Sequence, residues 1–138
     1  MKIVAKLEYA CRIAICLSKK YPSGNWISIE TLTEEEHLPC NYLVQILSEL
    51  RKAELIKSRR GQKGGYKLRR KPEMISLYEI VLAVDPAMFS LDIKSEGKSG
   101  EAVASTWQEL NRKLIHSTKA LMLDQIMTES TNSMYYIQ

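Results

Sequence analysis

The chain has 138 residues, with 20 lysines and arginines against 16 acidic residues, and 45% of its residues are hydrophobic. This length fits one domain with an appended element, and the apolar content suffices for a core, which excludes a mostly disordered chain. Arg12 and Glu79 interrupt the longest apolar windows, which are shorter than the roughly 20 residues of a membrane span. With no signal-peptide pattern and only three cysteines, the sequence predicts a soluble cytoplasmic protein with no membrane contact.

The first half of the chain has the pattern of three short helices. Apolar residues recur every three to four positions over Ala5–Lys20, which predicts an amphipathic helix. After a breaker cluster and a short β-prone stretch, Ser28 is suited to cap a second helix that ends near Glu36. A third helix is expected to carry Pro39 in its first turn. Its predicted buried stripe consists of Leu43, Ile46, Leu47 and Leu50. Two short helices joined by a brief turn form a helix-turn-helix pattern.

A basic hairpin is predicted next. Leu55–Arg59 and Gly65–Leu68 have the composition of strands, and the glycine-containing loop Arg60–Gly64 connects them. Residues 51–71 carry ten lysines and arginines but a single acid, Glu54. Clustered cations indicate a polyanionic partner, and a helix-turn-helix followed by a basic hairpin is the winged arrangement of DNA-binding domains. Double-stranded DNA is therefore the expected partner.

A long helix is predicted at the C-terminal end. Ile75–Val84 returns to helical spacing, Phe89–Gly100 has the composition of a linker, and helical spacing then runs from Ala102 to about Met127. We expect a mostly α fold with a small β-hairpin wing: a winged helix-turn-helix domain at 1–88, a linker at 89–100, and a dimerisation helix with a tail at 101–138. The stripe expected to pair with a second copy contains Trp107, Leu110, Leu114 and Leu121. Packing of this helix on its own domain is the alternative, and the tail with Tyr135 and Tyr136 suggests no role.

Five segments spread over nearly the whole chain share a recognisable pattern: Lys6–Ala10, Asn41–Leu47, Leu50–Ile56, Arg59–Tyr66 and Ile75–Val81. The most specific part is the Leu-Arg-Lys-Ala-x-Leu-Ile end of the third helix, followed closely by an Arg-Gly-x-x-Gly-Gly-Tyr wing. Together these segments resemble the Rrf2 family of bacterial transcription regulators. The resemblance implies a homodimeric winged-helix regulator, usually a repressor, that acts on a palindromic operator.

Many members of that family sense iron, nitric oxide or redox state through an iron–sulfur cluster, held mainly by three cysteines before the last helix. Here the corresponding loop, Phe89–Gly100, contains no Cys and no His. Aligning the chain on Trp107 puts Glu101 near the last family cysteine and Ala104 near a histidine ligand of one branch. Because thiolate ligation needs sulfur, we expect no cofactor and no metal site. The signal is then a small-molecule effector, a protein partner or thiol oxidation.

The cysteines elsewhere do not rebuild such a site. Cys11 and Cys16 lie about 140° apart around one helix, so they cannot readily share a metal, and we interpret both as buried apolar residues. Cys40 is the candidate redox thiol, because a helix N-terminus with nearby cations can lower a thiol pKa. An inert thiol is the alternative for Cys40.

The expected DNA contacts divide between the third helix and the wing. The helix residues predicted to lie in the major groove are Asn41, Tyr42, Gln45 and Ser48. Among them, Gln45 is predicted to read adenine through its amide, and Arg51 and Lys52 are predicted to contact phosphates. The wing cations are Arg59, Arg60, Lys63 and Lys67, of which Arg60 is expected in the minor groove.

Two other function classes fit the sequence less well. An enzyme would need a positioned nucleophile and base, and the only histidines, His37 and His116, lie in a turn and in the predicted dimerisation helix. The chain is therefore not expected to be an enzyme. A winged-helix module that binds protein instead of DNA is the alternative function.

Overall fold

The computed structural model describes residues 2–128, so the predicted tail with Tyr135 and Tyr136 lies outside the described part. The described helices are α1 (Ala5–Lys20), α2 (Ile29–Glu36), α3 (Cys40–Lys52), α4 (Leu77–Val84) and α5 (Gly100–Ala120), and the strands are β1 (Ile56–Arg59) and β2 (Gly65–Leu68). A short last helix, α6, covers residues 123–128. The predicted mostly helical fold with a β-hairpin wing is confirmed, and the domain boundaries at 88 and 100 stay a prediction.

One core lies between α1, α2, α3, α4 and the hairpin. Its largest fully buried side chains include Ile13, Leu17, Leu32, Ile46, Leu50, Ile56, Leu68 and Ile80. Full burial of one such aliphatic side chain stabilises the fold by about 1.5–3 kcal/mol, so this cluster is the main stabilising contribution. Within residues 2–128, no helix combines the length and apolar content that crossing a bilayer requires.

The hairpin is attached to the segment that precedes α2. Strands β1 and β2 are antiparallel, with Ile56 opposite Leu68. Tyr66 on β2 exchanges two backbone hydrogen bonds of 2.8 Å with Ile27, which therefore acts as a third, one-residue strand. Gly65 has φ of +144°, and a Cβ there would lie 2.3 Å from the Ile27 carbonyl oxygen. Only glycine fits at this close approach.

Two helix starts differ slightly from the prediction. The Ser28 hydroxyl accepts a hydrogen bond from the Thr31 amide, so the predicted cap of α2 is confirmed. Helix α3 begins at Cys40, so Pro39 is its N-cap and does not lie in its first turn. Helix α4 begins at Leu77, two residues later than the spacing suggested, because a reciprocal Ser76–Glu79 capping box fixes its start.

The prediction of one helix from Ala102 to about Met127 is wrong. Helix α5 ends at Ala120, and the chain then pairs with the segment before α4: the Leu77 amide donates to the Leu121 carbonyl at 2.8 Å, and the Leu123 amide donates to the Ile75 carbonyl at 3.0 Å. The break buries Leu123, which is 1% exposed, within the core. Leu121 is consequently not on the same helix as the rest of the predicted dimer stripe.

Truncation of Leu123 tests this closing contact. We expect Leu123→Ala to lower the free energy of unfolding by about 2–5 kcal/mol, because it leaves a cavity in the core. Leu82→Ala is the matched control: Leu82 is 44% exposed on α4, and its loss should cost less than about 1 kcal/mol. Urea denaturation at a fixed protein concentration measures both. Equal effects of the two substitutions would contradict the packing of this segment into the core.

Candidate nucleic-acid interface

Helix α3 buries one stripe and exposes the opposite face. The predicted stripe is confirmed, because each of its four residues is at most 1% exposed: Leu43, Ile46, Leu47 and Leu50. Of the residues predicted to contact bases, Asn41, Tyr42 and Gln45 are exposed and Ser48 is half-buried. Their contacts with bases stay a prediction. Val44, for which the sequence predicted no role, is 67% exposed on this face and presents methyl groups suited to a thymine methyl.

The amide of Gln45 is tied to a carboxylate on its own helix. Its Nε2 donates to Glu49 Oε1 at 3.1 Å, and the same oxygen accepts from Lys6 Nζ of α1 at 3.0 Å. The Lys6 and Glu49 side chains are both only 24% exposed. Gln45 is therefore held by a short polar network that connects α1 with α3.

The end of α3 meets the hairpin. Arg51 Nη1 lies 3.5 Å from the Ser58 hydroxyl of β1, and Lys52 beside it is exposed. Ser58 and Arg51 thus connect the outer face of α3 with the hairpin. The two predicted phosphate-contacting residues lie where these two surfaces join.

The wing presents its cations around the turn between β1 and β2. Arg60 and Lys63 are exposed in this turn, as the prediction for DNA-contacting residues requires. Arg59 donates through Nη2 to the Lys63 carbonyl at 3.0 Å, which closes the turn across its base. The Lys63 side chain itself stays available to a phosphate.

Trp26 organises the outer face of the hairpin. Its ring lies under the Lys67 ammonium at 4.5 Å and the Arg59 guanidinium at 5.0 Å from its centroid, with the Lys57 ammonium at 6.0 Å. Lys67 also donates to the Gly24 carbonyl at 3.3 Å. Trp26 and Lys57 were not among the residues predicted from the sequence to form this surface. The available signal was an aromatic residue in the short β-prone stretch beside a basic hairpin.

Helix α5 packs one face on its own domain and exposes an apolar stripe. Ala104 and Thr118 are buried, and Asn111 donates to the Phe89 carbonyl at 3.0 Å. The exposed stripe contains Val103, Trp107 and Leu110, each about half exposed, followed by the half-buried Leu114. Leu121, beyond the end of α5, is 40% exposed.

An apolar cleft of about 330 Å³ opens between α1, α4 and α5. Its apolar wall includes Leu7, Cys11, Ile15, Leu77, Val81 and Met88.

Arg12 lies at the rim of this cleft, where it pairs with Glu8 at 2.9 Å and donates to the Glu36 carbonyl at 2.5 Å. The Arg12 guanidinium also lies 5.1 Å above the Tyr9 ring, which contacts the Tyr42 ring of α3 at 6.0 Å between centroids. The cleft is thus connected to the outer face of α3.

The three cysteines lie in different environments. Cys16 is buried as predicted, Cys11 is only half-buried, and Cys40 is exposed at the first residue of α3. Burial, reinforced by the charge of Glu8, raises the pKa of the Cys11 thiol to about 11. Burial and the hydrogen bond to Glu35 raise the pKa of the Cys16 thiol to about 12. Both α1 thiols are therefore protonated at neutral pH, which disfavours a role as thiolate ligands.

Comparison with known proteins assigns the family. The family model for Rrf2, described as an iron-dependent transcriptional regulator, matches residues 3–129. The chain belongs to the Rrf2 family. Its Rrf2 relatives include the HTH-type transcriptional regulator IscR of Cereibacter sphaeroides, 33% identical over 83% of this chain and 74% of that protein. The HTH-type transcriptional regulator CymR of Bacillus subtilis is 34% identical over 67% of each chain.

Solved Rrf2 structures agree with the fold. CymR of B. subtilis, described as the global cysteine regulator of that organism, has a TM-score of 0.82 at 26% identity, covering 94% of this chain and 98% of that one. The oxidized form of CymR from Staphylococcus aureus has a TM-score of 0.75 at 31% identity, covering 92% and 96%. This Rrf2 protein is a winged-helix, DNA-binding transcriptional regulator.

The residues of this chain do not fit the iron–sulfur cluster that the resemblance to Rrf2 regulators implies. Two of the three cysteines in the sequence lie on α1 and the third begins α3, whereas residues 90–99 before α5 contain neither Cys nor His. Within residues 2–128, no three side chains of His, Cys, Asp or Glu come together in a way that could hold a metal ion. The donor atoms that such a cluster requires are therefore not gathered in the described part of the chain.

Replacement of Lys63 tests the contribution of the wing. Lys63→Ala should make the negative slope of log binding constant against log salt concentration shallower by about one unit, because one phosphate contact is lost. Lys98→Ala is the matched control, since Lys98 is an exposed lysine in the linker. Fluorescence anisotropy with a DNA duplex at several salt concentrations measures both slopes. An unchanged slope would remove Lys63 from the DNA footprint, and absence of duplex binding even at low salt would favour the protein-binding alternative.

Proposed function

We propose that this Rrf2 regulator is a homodimeric repressor that binds a palindromic operator without a cluster or metal cofactor. The observation that supports the proposal is the continuity between the two surfaces predicted to contact DNA: Arg51 at the end of α3 reaches Ser58 of the basic hairpin. One protomer can therefore place α3 in a major groove and the wing on the adjacent backbone. The protein acts in the cytoplasm, where it reaches operator DNA.

The exposed stripe of α5 is the proposed dimer interface. Val103, Trp107, Leu110 and Leu114 are spaced by four, three and four residues, which is the heptad spacing of two helices that pack along a seam. A stripe of three exposed large apolar residues is more typical of a protein–protein interface than of a surface that stays in contact with solvent. Leu121 contributes from the segment after α5. A second copy of the chain is the proposed partner, because two identical half-sites of a palindrome require two-fold symmetry.

No catalytic role is proposed. His37 caps α2 and His116 lies on α5, and within the described residues neither forms a hydrogen bond to a cysteine. A nucleophile and a base within hydrogen-bond reach are the minimum for covalent catalysis. Cys16 does hydrogen-bond to the Glu35 carboxylate, but this thiol is buried and its raised pKa keeps it protonated at neutral pH. Within residues 2–128 the histidines and thiols therefore do not supply an activated nucleophile.

A small-molecule effector is the proposed signal, and the apolar cleft beside α1 is its proposed site. The volume falls within the usual range for ligand pockets. The charged rim residues Glu8 and Arg12 are already paired with each other, so an uncharged apolar molecule fits better than an ion. A ligand that displaces Arg12 from Tyr9 would change the support of Tyr42 on α3.

The dimer is tested by a charge on the α5 stripe. Trp107→Glu should dissociate the dimer, because a carboxylate cannot be buried in an apolar seam. Binding to an inverted-repeat duplex should then fall by about 100-fold or more, while binding to a single half-site stays unchanged. Ser105→Glu introduces the same charge about 200° around the helix and is the control. Sedimentation velocity gives the mass; a wild-type monomer at micromolar concentration would refute the dimer.

The cofactor proposal is tested by anaerobic purification followed by iron and sulfide analysis and an absorbance spectrum. We expect substoichiometric iron and sulfide and no visible absorption. Stoichiometric iron with visible absorption would overturn the proposal. Loss of DNA binding after peroxide treatment, prevented by Cys40→Ser, would assign the signal to this thiol and not to an effector in the cleft.

A further inference from the structure

The orientation of the Gln45 amide follows from its partner. A carboxylate only accepts hydrogen bonds, so the Gln45 atom that faces Glu49 Oε1 has to be the amide nitrogen. The amide oxygen is left without this partner and is available on the exposed face of α3. The nitrogen carries two hydrogens, so one N–H remains beside the amide oxygen for a base.

Glu49 is itself held in place from outside α3. Lys6 reaches it from the first turn of α1, and both side chains are mostly buried, which strengthens their attraction relative to a fully solvated pair. The second oxygen, Glu49 Oε2, is buried and has no hydrogen-bond partner within the described residues. Glu49 therefore depends on Lys6 and Gln45, and these contacts fix where its charge lies.

We propose that Lys6 and Glu49 are positioning residues that make Gln45 selective for adenine over guanine. Adenine offers an N6 donor and an N7 acceptor in the major groove, which match one amide oxygen and one N–H. Guanine offers two acceptors there, O6 and N7, and an amide could satisfy them only by turning its nitrogen toward the base. The bond to Glu49 opposes that rotation. This inference rests on the proposed role of Gln45 as a base reader.

The experiment compares two DNA duplexes for each protein variant. The probe is an operator obtained by selection of random duplexes with the full-length protein, together with the same operator carrying G·C in place of the A·T pair that depends on Gln45. The measured quantity is the ratio of the two dissociation constants. This ratio cancels any general effect of charge or folding on DNA affinity, because such effects change both constants equally.

The wild-type protein should prefer the A·T operator by roughly 5- to 150-fold, and Gln45→Ala should abolish the preference. Glu49→Ala should reduce the preference by about three- to tenfold, because the freed amide samples more orientations. Lys6→Met should also reduce the preference for the A·T operator. Glu49→Gln, which keeps an acceptor oxygen for the Gln45 amide, should retain most of it.

Two further variants distinguish positioning from a general effect. In the Gln45→Ala background, Glu49→Ala should leave the ratio unchanged, because no amide remains to be oriented. Glu35→Ala is the matched control, since Glu35 pairs with Lys20 at 2.9 Å and so joins α1 to α2 in the same way. It also removes one negative charge, and the ratio should equal that of the wild type.

The outcomes separate the inference from the function on which it rests. If no A·T pair depends on Gln45, the proposed base-reading role is wrong. If Gln45→Ala abolishes the preference while Glu49→Ala and Lys6→Met both retain it, Gln45 reads adenine but the positioning role is wrong. A change in the ratio caused by Glu35→Ala would also contradict the inference, because the effect would then not depend on contact with Gln45.

Discussion

Burial of the apolar stripe of α3 is the constraint on which the DNA-binding surface depends. Leu43 and Leu50 lie at opposite ends of this stripe and belong to the same core as α1 and α4. Rotation of α3 by one residue, about 100°, would expose leucines and bury polar side chains. Hydrophobic free energy therefore decides which face of the helix is outward. The contact between Gln45 and Glu49 does not affect which face of α3 is exposed; it affects only the orientation of the Gln45 amide.

The wing is subject to a different physical constraint, because its clustered cations repel one another. Arg59 and Lys67 are supported by the Trp26 ring and by backbone carbonyl groups, none of which carries a net negative charge. Arg70, by contrast, pairs with Glu79 and is largely neutralised. Support by uncharged groups leaves the full positive charge of the wing for DNA phosphates. A carboxylate partner is found instead at Arg70, whose ion pair with Glu79 contributes to the fold.

Local patterns predicted most of this architecture, and distant pairings explain what they missed. The helices from α1 to α4 and the hairpin follow from apolar spacing and glycine placement, which are properties of neighbouring residues. The end of α5 does not: residues 121–127 continue helical spacing with no Gly or Pro, and the break depends on backbone pairing with Ile75 and Leu77. Likewise, nothing in the sequence near Gln45 indicates that its partner Glu49 is paired with Lys6, which lies 43 residues earlier in the chain.

Two hydrogen bonds that hold α5 on its own domain limit the spacing that an operator can have. Asn111 ties the middle of α5 to Phe89, and Leu121 ties its end to Leu77, so the helix cannot pivot freely on its linker. In a dimer formed through α5, the angle between the two reading helices is then set by the protein. Each base pair inserted between half-sites rotates them by roughly 35° about the DNA axis. Such a dimer tolerates little change in helical phase, and the spacer length of its operators is as restricted as their sequence.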